Sequence, residues 1–236
     1  LAGKTVCFGL DGWSNVHNEP IICETVTTSE GQVYLVDTVD TSGRPHTAEY
    51  LKDMAASSIA KTENDFKCSV GSIVTDNAAN VKKMRTNLEE TLEHKKLVTY
   101  GCSAHILNLL AHDLEIPNIK DQVVHVIKYF RNNHFASATY RADGNKALVM
   151  PQDVRWNTMA GCLNSYIDNW PALVKICENE ASRDKIDNII KGKVTNMGLK
   201  RSAEELRDRL NPIAIALDKM QSDKPSLWLS ISVKNW

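Results

Sequence analysis

KTVCFGLD (Lys4–Asp11), EPIICETVTT (Glu19–Thr28) and QVYLVDTVDT (Gln32–Thr41) decide the fold. All three are rich in Val, Ile and Thr, residues that suit a pleated, half-buried surface. Only turn formers separate them: Gly12, Ser14 and Asn15, then Ser29, Glu30 and Gly31. Such spacing predicts three consecutive antiparallel strands joined as a meander. Working outward, Thr47 suits the N-cap of a helix with Leu51, Met54, Ala55 and Ile59 on one face. SVGSIVT (Ser69–Thr75) has the short apolar run of a buried strand. A second helix follows, aligning Val81, Met84, Leu88 and Leu92. Leu97–Tyr100 predicts another short strand, and Ser103–Leu114 a third helix carrying Ile106, Leu107, Leu110 and Leu114. The order β-β-β-α-β-α-β-α predicts an α/β fold, a mixed five-stranded sheet with helices packed on it.

Beyond Pro117 the pattern becomes helical. Ile119–Asn133 repeats Ile119, Val123, Ile127 and Phe130; Trp156–Trp170 repeats Trp156, Met159, Leu163, Tyr166 and Trp170. Ser202–Met220 opens with Ser202 and Glu205 in capping-box spacing, and Pro212 predicts a kink within it. Residues 134–155 and 182–200 read as loops. Charge changes at the same place: residues 1–117 carry net −6 and residues 118–236 net +5. Two domains are therefore expected, 1–117 and 118–236.

The 236 residues are 42% hydrophobic and 24% charged, the composition of a globular chain with a core of its own. The net charge of −1 gives no bulk attraction to nucleic acid or an acidic partner. No apolar run approaches the roughly 18 residues that cross a bilayer, so no membrane partner is expected. Six cysteines without a CxxC read as reduced thiols of an intracellular protein. The chain opens at Leu1 on a strand and stops at Trp236 in a helical region, which reads as part of a longer protein.

Asp11 closes the first strand and Asp76 the fourth, strands that the predicted order allows to be parallel neighbours. Two carboxylates set side by side at strand ends call for a positive charge between them. A hard divalent cation with oxygen ligands meets that need, and Mg²⁺ takes one or two carboxylates plus substrate phosphate. The competing reading makes Asp76 a cap for the helix that follows it. Cys102 and His105 form a CxxH where the fifth strand turns into a helix. That is half a zinc site without a second half, so no zinc is expected, and from the residues alone a buried Cys beside a helix-start His is the better reading. Arg155 and Trp156 open the helical half. Trp156 fits the apolar period of its helix, and a Trp beside an Arg also suits stacking an unpaired base and holding a phosphate. Lys191, Lys193, Lys200 and Arg201 form a looser basic stretch.

Taken together, DGWS (Asp11–Ser14), TDNAAN (Thr75–Asn80), GCSAH (Gly101–His105), RWN (Arg155–Asn157), LNPI (Leu210–Ile213) and MQSD (Met220–Asp223) resemble the transposase domain of the hAT superfamily. The likeness is to the branch catalogued as a domain of unknown function in hAT-like proteins, and it spans about Lys4 to Asp223. It implies a ribonuclease-H-like catalytic core with an all-helical insertion. It also implies DNA strand cleavage and transfer with Mg²⁺ or Mn²⁺ held by an Asp-Asp-Glu triad, in which Asp11 and Asp76 are the first two carboxylates. Cys102 and His105 match the family's Cys-x-x-His signature beside the active site, and Arg155 and Trp156 its Arg-Trp signature, implicated in holding a flipped base. The family's third carboxylate follows the insertion, so residues 1–236 alone are expected to be inactive. Transposon-end and target DNA, a homo-oligomer formed through other segments, and the nucleus are the implied partners and location. The alternative is a domesticated, inactive nuclear module that binds DNA or protein.

Overall fold

A computed structural model describes residues 1–92, 96–152 and 156–220. The three predicted strands are present as β1 (Thr5–Ser14), β2 (Pro20–Thr27) and β3 (Val33–Asp40). There follow α1 (Ala48–Phe66), β4 (Ser69–Thr75), α2 (Ala79–Thr91), β5 (Val98–Gly101) and α3 (Ser103–Asp113). The sheet order is β3-β2-β1-β4-β5, antiparallel across β1–β2 and β2–β3 and parallel across β1–β4 and β4–β5. The chain is thus of the α/β class, with a mixed five-stranded sheet and eight α-helices among the described residues.

One strand is longer than its composition suggests. β1 runs past Asp11 to Ser14, because β2 keeps pairing with it down to Ser14↔Pro20. The turn beyond is closed by Asn15, whose Oδ1 accepts from the backbone N–H groups of His17 and Glu19. Gly12 and Ser14, residues usually found in turns, lie inside the ladder. Asp11 therefore sits within β1, opposite Cys23, and does not close it.

Alternation along the strands builds the core of this part. Val6 and Phe8 of β1, Val26 of β2 and Val70 and Ile73 of β4 are buried with Leu51, Ala55 and Ile59 of α1 and Met84 and Leu88 of α2. Each of these side chains other than Ala55 contributes about 1.5–3 kcal/mol when fully removed from water. Thr47 caps α1 as expected, its hydroxyl accepting from the Tyr50 N–H, and Lys67 ends the helix in the left-handed conformation.

Among the described residues after α3 the regular structure is helical: α4 (Ile119–Asn132), α5 (His134–Ala142), α6 (Trp156–Glu178), α7 (Asn188–Val194) and α8 (Met197–Met220), with a 3-10 turn at Arg183–Lys185. Helices α5 and α7 occupy stretches whose sequence reads as loop. Each has a side-chain cap: Asn133 accepts from the Ala136 N–H, and Asp187 from those of Ile189 and Ile190. The final helix begins at Met197, capped by Asn196 through the Gly198 and Leu199 N–H groups. Ser202 and Glu205 are consequently interior to α8 and form no capping box; Glu205 pairs with Arg209 instead. Pro212 lies inside α8, and Pro171 inside α6, which runs on to Glu178.

Two compact units result among the described residues, Leu1–Ile106 and Leu107–Met220, so the division falls within α3. In the second unit α6 packs on α4, α5, α7 and α8. Its core includes Val123, Ile127 and Phe130 of α4, Leu163 and Tyr166 of α6, and Leu206, Leu210 and Leu217 of α8. Trp170 ties α6 to α7 by donating to the Val194 carbonyl (2.9 Å), with the Lys200 ammonium over its ring. Burial pushes the Cys162 thiol and the Tyr166 phenol up to about 12, so both are neutral packing groups at ordinary pH. Among the described residues no helix is long and apolar enough to cross a membrane.

Candidate functional site

Parallel pairing of β1 with β4 ends at Gly9↔Val74. Two residues further along each strand, the same register sets Asp11 level with Asp76. Pairing of β4 with β5 ends at Thr75↔Gly101, and the Cys102 N–H donates to the Thr75 carbonyl (2.6 Å), so Cys102 is level with Asp76 from the other side. Asp11, Asp76 and Cys102 thus share one row, at the carboxyl ends of β4 and β5 and just past the point where β1 stops pairing with β4. Ligands of open α/β sheets bind outside those ends.

The loop after β4 is fixed by a set of polar contacts. The Asp76 carboxylate accepts from the Ala78 N–H (3.0 Å) and bends the chain into α2; the N-cap position is Ala78, which has no side-chain cap. Asp76 is therefore a turn residue and not the cap that composition allowed. Arg85, buried in α2, donates to the Thr75 hydroxyl and to the Asp76 carbonyl, both at 2.6 Å. Burial pulls its guanidinium below the usual arginine value while Asp76 and Glu89 oppose that pull. Asn77 donates its amide to the Cys102 carbonyl (3.0 Å), linking the ends of β4 and β5. Gly101 is needed there, since a Cβ would fall 1.7 Å from the Asn77 Oδ1. Asn80 donates to the His46 carbonyl (2.9 Å), and the His46 ring meets the buried Thr41 hydroxyl (2.7 Å).

Asp11 is exposed and Asp76 half-buried. Facing Asp11 on β2, the Cys23 thiol is raised, by burial first and then by the charges of Asp11 and Glu24. On the row's near side Cys7 and Tyr100 form a 3.0 Å thiol–phenol contact, and burial followed by the Cys7 contact raises the phenol. Cys102 joins β5 to α3, and His105 is the third residue of α3, half-buried. Among the described residues no three His, Cys, Asp or Glu side chains are grouped as a metal-binding set. Trp156 begins α6 in the second unit, while Arg155 lies outside the described residues.

A cleft of about 270 Å³ opens beside Asp76. Ile22, Leu51, Met54 and Met84 are among its lining residues, with Trp13 and Asn80. Arg85 and His46 did not emerge from motif reading, and Asn77 and Asn80 did so only as members of TDNAAN, without a role. Arg85 left a trace all the same: it stands at position i+4 from Val81, a charged residue inside an apolar helical stripe.

No curated protein matches the chain. Residues 2–129 match the model of a family described as a domain of unknown function (DUF659), over half of the 236 residues, so the chain belongs to the DUF659 family.

Proposed function

We propose that this chain carries the ribonuclease-H-like core of a hAT-type DNA transposase, with the helical region from Pro117 on as its insertion. Metal-dependent cleavage and transfer of DNA strands is the proposed activity, in the nucleus, on element ends and target DNA. The observation that carries the reading is the row in which β1 and β4 set Asp11 level with Asp76.

The donor set suits a hard divalent cation. Both groups are carboxylates, and the Ala78 N–H fixes Asp76 through one oxygen. Mg²⁺ or Mn²⁺ would be held by Asp11 and Asp76, with waters and a phosphate oxygen completing its ligands. Such an ion supplies Lewis acidity and lowers the pKa of bound water. The chain's own residues supply position. Arg85 clamps the Thr75–Asp76 segment, and Asn77 fixes the end of β5 against it. In the hAT pattern a Glu completes the triad, and no Glu of this chain is assigned that role.

Cys102, in the row, and His105, on α3 beyond it, are proposed as neighbours of the site, and Arg155 and Trp156 are proposed to bind DNA. The test is nicking of plasmid DNA bearing the element's ends, in Mn²⁺, by the protein of the complete gene. Nicking that disappears in Asp76→Asn is expected. Nicking that survives the substitution, or none by the parent protein, would overturn the reading.

A further inference from the structure

We propose that the open edge of β3 is the docking site for residues 226–234 of this same chain, which pair with it as an added strand. The proposal is independent of the reading of Asp11 and Asp76.

The sheet has two edges, and they differ. β5 has four residues, and its Thr99 N–H and hydroxyl both donate to Glu89 (3.2 and 2.6 Å), so that edge is already engaged. β3 has eight residues and pairs with β2 alone, which leaves alternate N–H and C=O groups along its outer side. Natural edges are commonly blunted with lysine or proline, and β3 has neither. Its Thr38 N–H turns to the Asp37 carboxylate (2.8 Å), and Val36 bulges out of the register with β2. Before that bulge stand Val33, Tyr34 and Leu35, three successive large apolar residues that are 60%, 43% and 65% exposed. Val33 and Leu35 lie opposite Thr27 and Thr25, which in turn lie opposite Cys7 and Gly9. Both therefore share the face of the sheet away from buried Val26 and α1.

Residues 221–236 lie outside the described residues, and their sequence supplies a match. Every second residue from Leu227 is apolar: Leu227, Leu229, Ile231 and Val233, with Ser230, Ser232 and Lys234 among those between. A period of two suits a half-buried strand, and no proline follows Pro225. Set beside Val33 and Leu35, the four apolar residues make cross-strand pairs on one face. Charge agrees with the pattern. β3 carries Asp37 and Asp40 and no cation, whereas residues 224–236 carry Lys224 and Lys234 and no Asp or Glu. Lys61 already meets Asp37, so Asp40 is the carboxylate that gains a partner. Either strand direction brings one lysine to the Asp40 end, Lys224 if antiparallel and Lys234 if parallel. A second copy of β3 in the same place would add two aspartates and no cation, so the charges favour residues 226–234 over it.

Amide hydrogen exchange in the full chain tests this. The β3 amides that face away from β2 should be protected in the parent chain. Strand N–H groups alternate sides, so one of Ser230→Pro and Ile231→Pro removes a donor aimed at β3. At least one of them should speed exchange of those β3 amides tenfold or more, with the Val26 and Ile73 amides unchanged as the sign of an intact sheet. Ser230→Ala, which keeps the N–H, should leave exchange as in the parent. Nuclear Overhauser contacts between residues 33–36 and residues 227–233 are expected within single chains. β3 amides that exchange alike in the parent and both proline variants overturn the proposal. Contacts that arise only between labelled and unlabelled copies in a mixed sample overturn it as well.

Discussion

Arg85 places the second carboxylate. Its guanidinium, on a residue only 7% exposed, satisfies the Thr75 hydroxyl and the Asp76 carbonyl together. Arg85→Met would keep the volume and strip both acceptors of a charged donor. A loss of about 2–3 kcal/mol is expected, read as a lower urea midpoint at unchanged slope. Arg85→Lys should recover only part of it, because an ammonium on a flexible stem does not reproduce the planar fork. Glu24 behaves in the opposite sense. It is 2% exposed in β2, with the Ser58 hydroxyl donating to it, and burial raises its carboxyl despite that bond and despite Lys61, with Asp37 adding to the rise. The folded state therefore binds this proton more tightly than the unfolded chain does. Stability contributed by Glu24 is full below the ordinary glutamate value and declines as pH rises toward the raised one. Glu24→Gln should remove that decline, seen as a melting temperature that falls less between about pH 4 and pH 7. Neither residue was legible as a motif, since a charged side chain in an apolar period gives no sign of its partner.

Elements whose pattern is long and regular could be read from sequence; those held by one cap could not. β4 and α2 follow from SVGSIVT and from Met84 and Leu88, because burial on one face sets a period that composition preserves. Helix α5 has nine residues and buries Ala136 and Tyr140, too few side chains to make a period. It depends on the Asn133 cap and on Tyr140 meeting Phe130 edge-on at 6.3 Å between ring centres. In α8 the spacing of Ser202 and Glu205 imitates a start signal, but Asn196 provides the actual one further upstream. Asn196→Ala should then cost about 1 kcal/mol, as lost caps do. Ser202→Ala should be neutral or slightly stabilising, because Ala is the better residue inside a helix. Chemical denaturation of the two variants distinguishes the positions. The length of β1 escaped for a related reason: Gly12 and Ser14 favour turns locally, but cross-strand pairing with Ile22 and Pro20 overrides them.

Across the whole molecule, topology makes the site. The meander runs outward from β1 to the edge strand β3, and the connection through α1 lays β4 parallel on the other side of β1, which leaves β1 in the middle of the sheet. Asp11 and Asp76 meet in one row for that reason, and the order of strands and helices was enough to expect it. What order could not supply was the loop network of Arg85, Asn77, Asn80 and His46, which depends on distances that only folding sets. The charge division, net −6 over residues 1–117 and net +5 over residues 118–236, is likewise visible in sequence, while the compact units divide earlier, within α3. The central claim is that the row holds a divalent cation, and paramagnetic broadening by Mn²⁺ of the amide resonances of the chain tests it most directly. Broadening should centre on Gly12, Asn77 and Cys102 at low Mn²⁺, and Asp11→Asn and Asp76→Asn should each weaken it at least tenfold. Broadening centred elsewhere, or unchanged in both variants, would contradict the account.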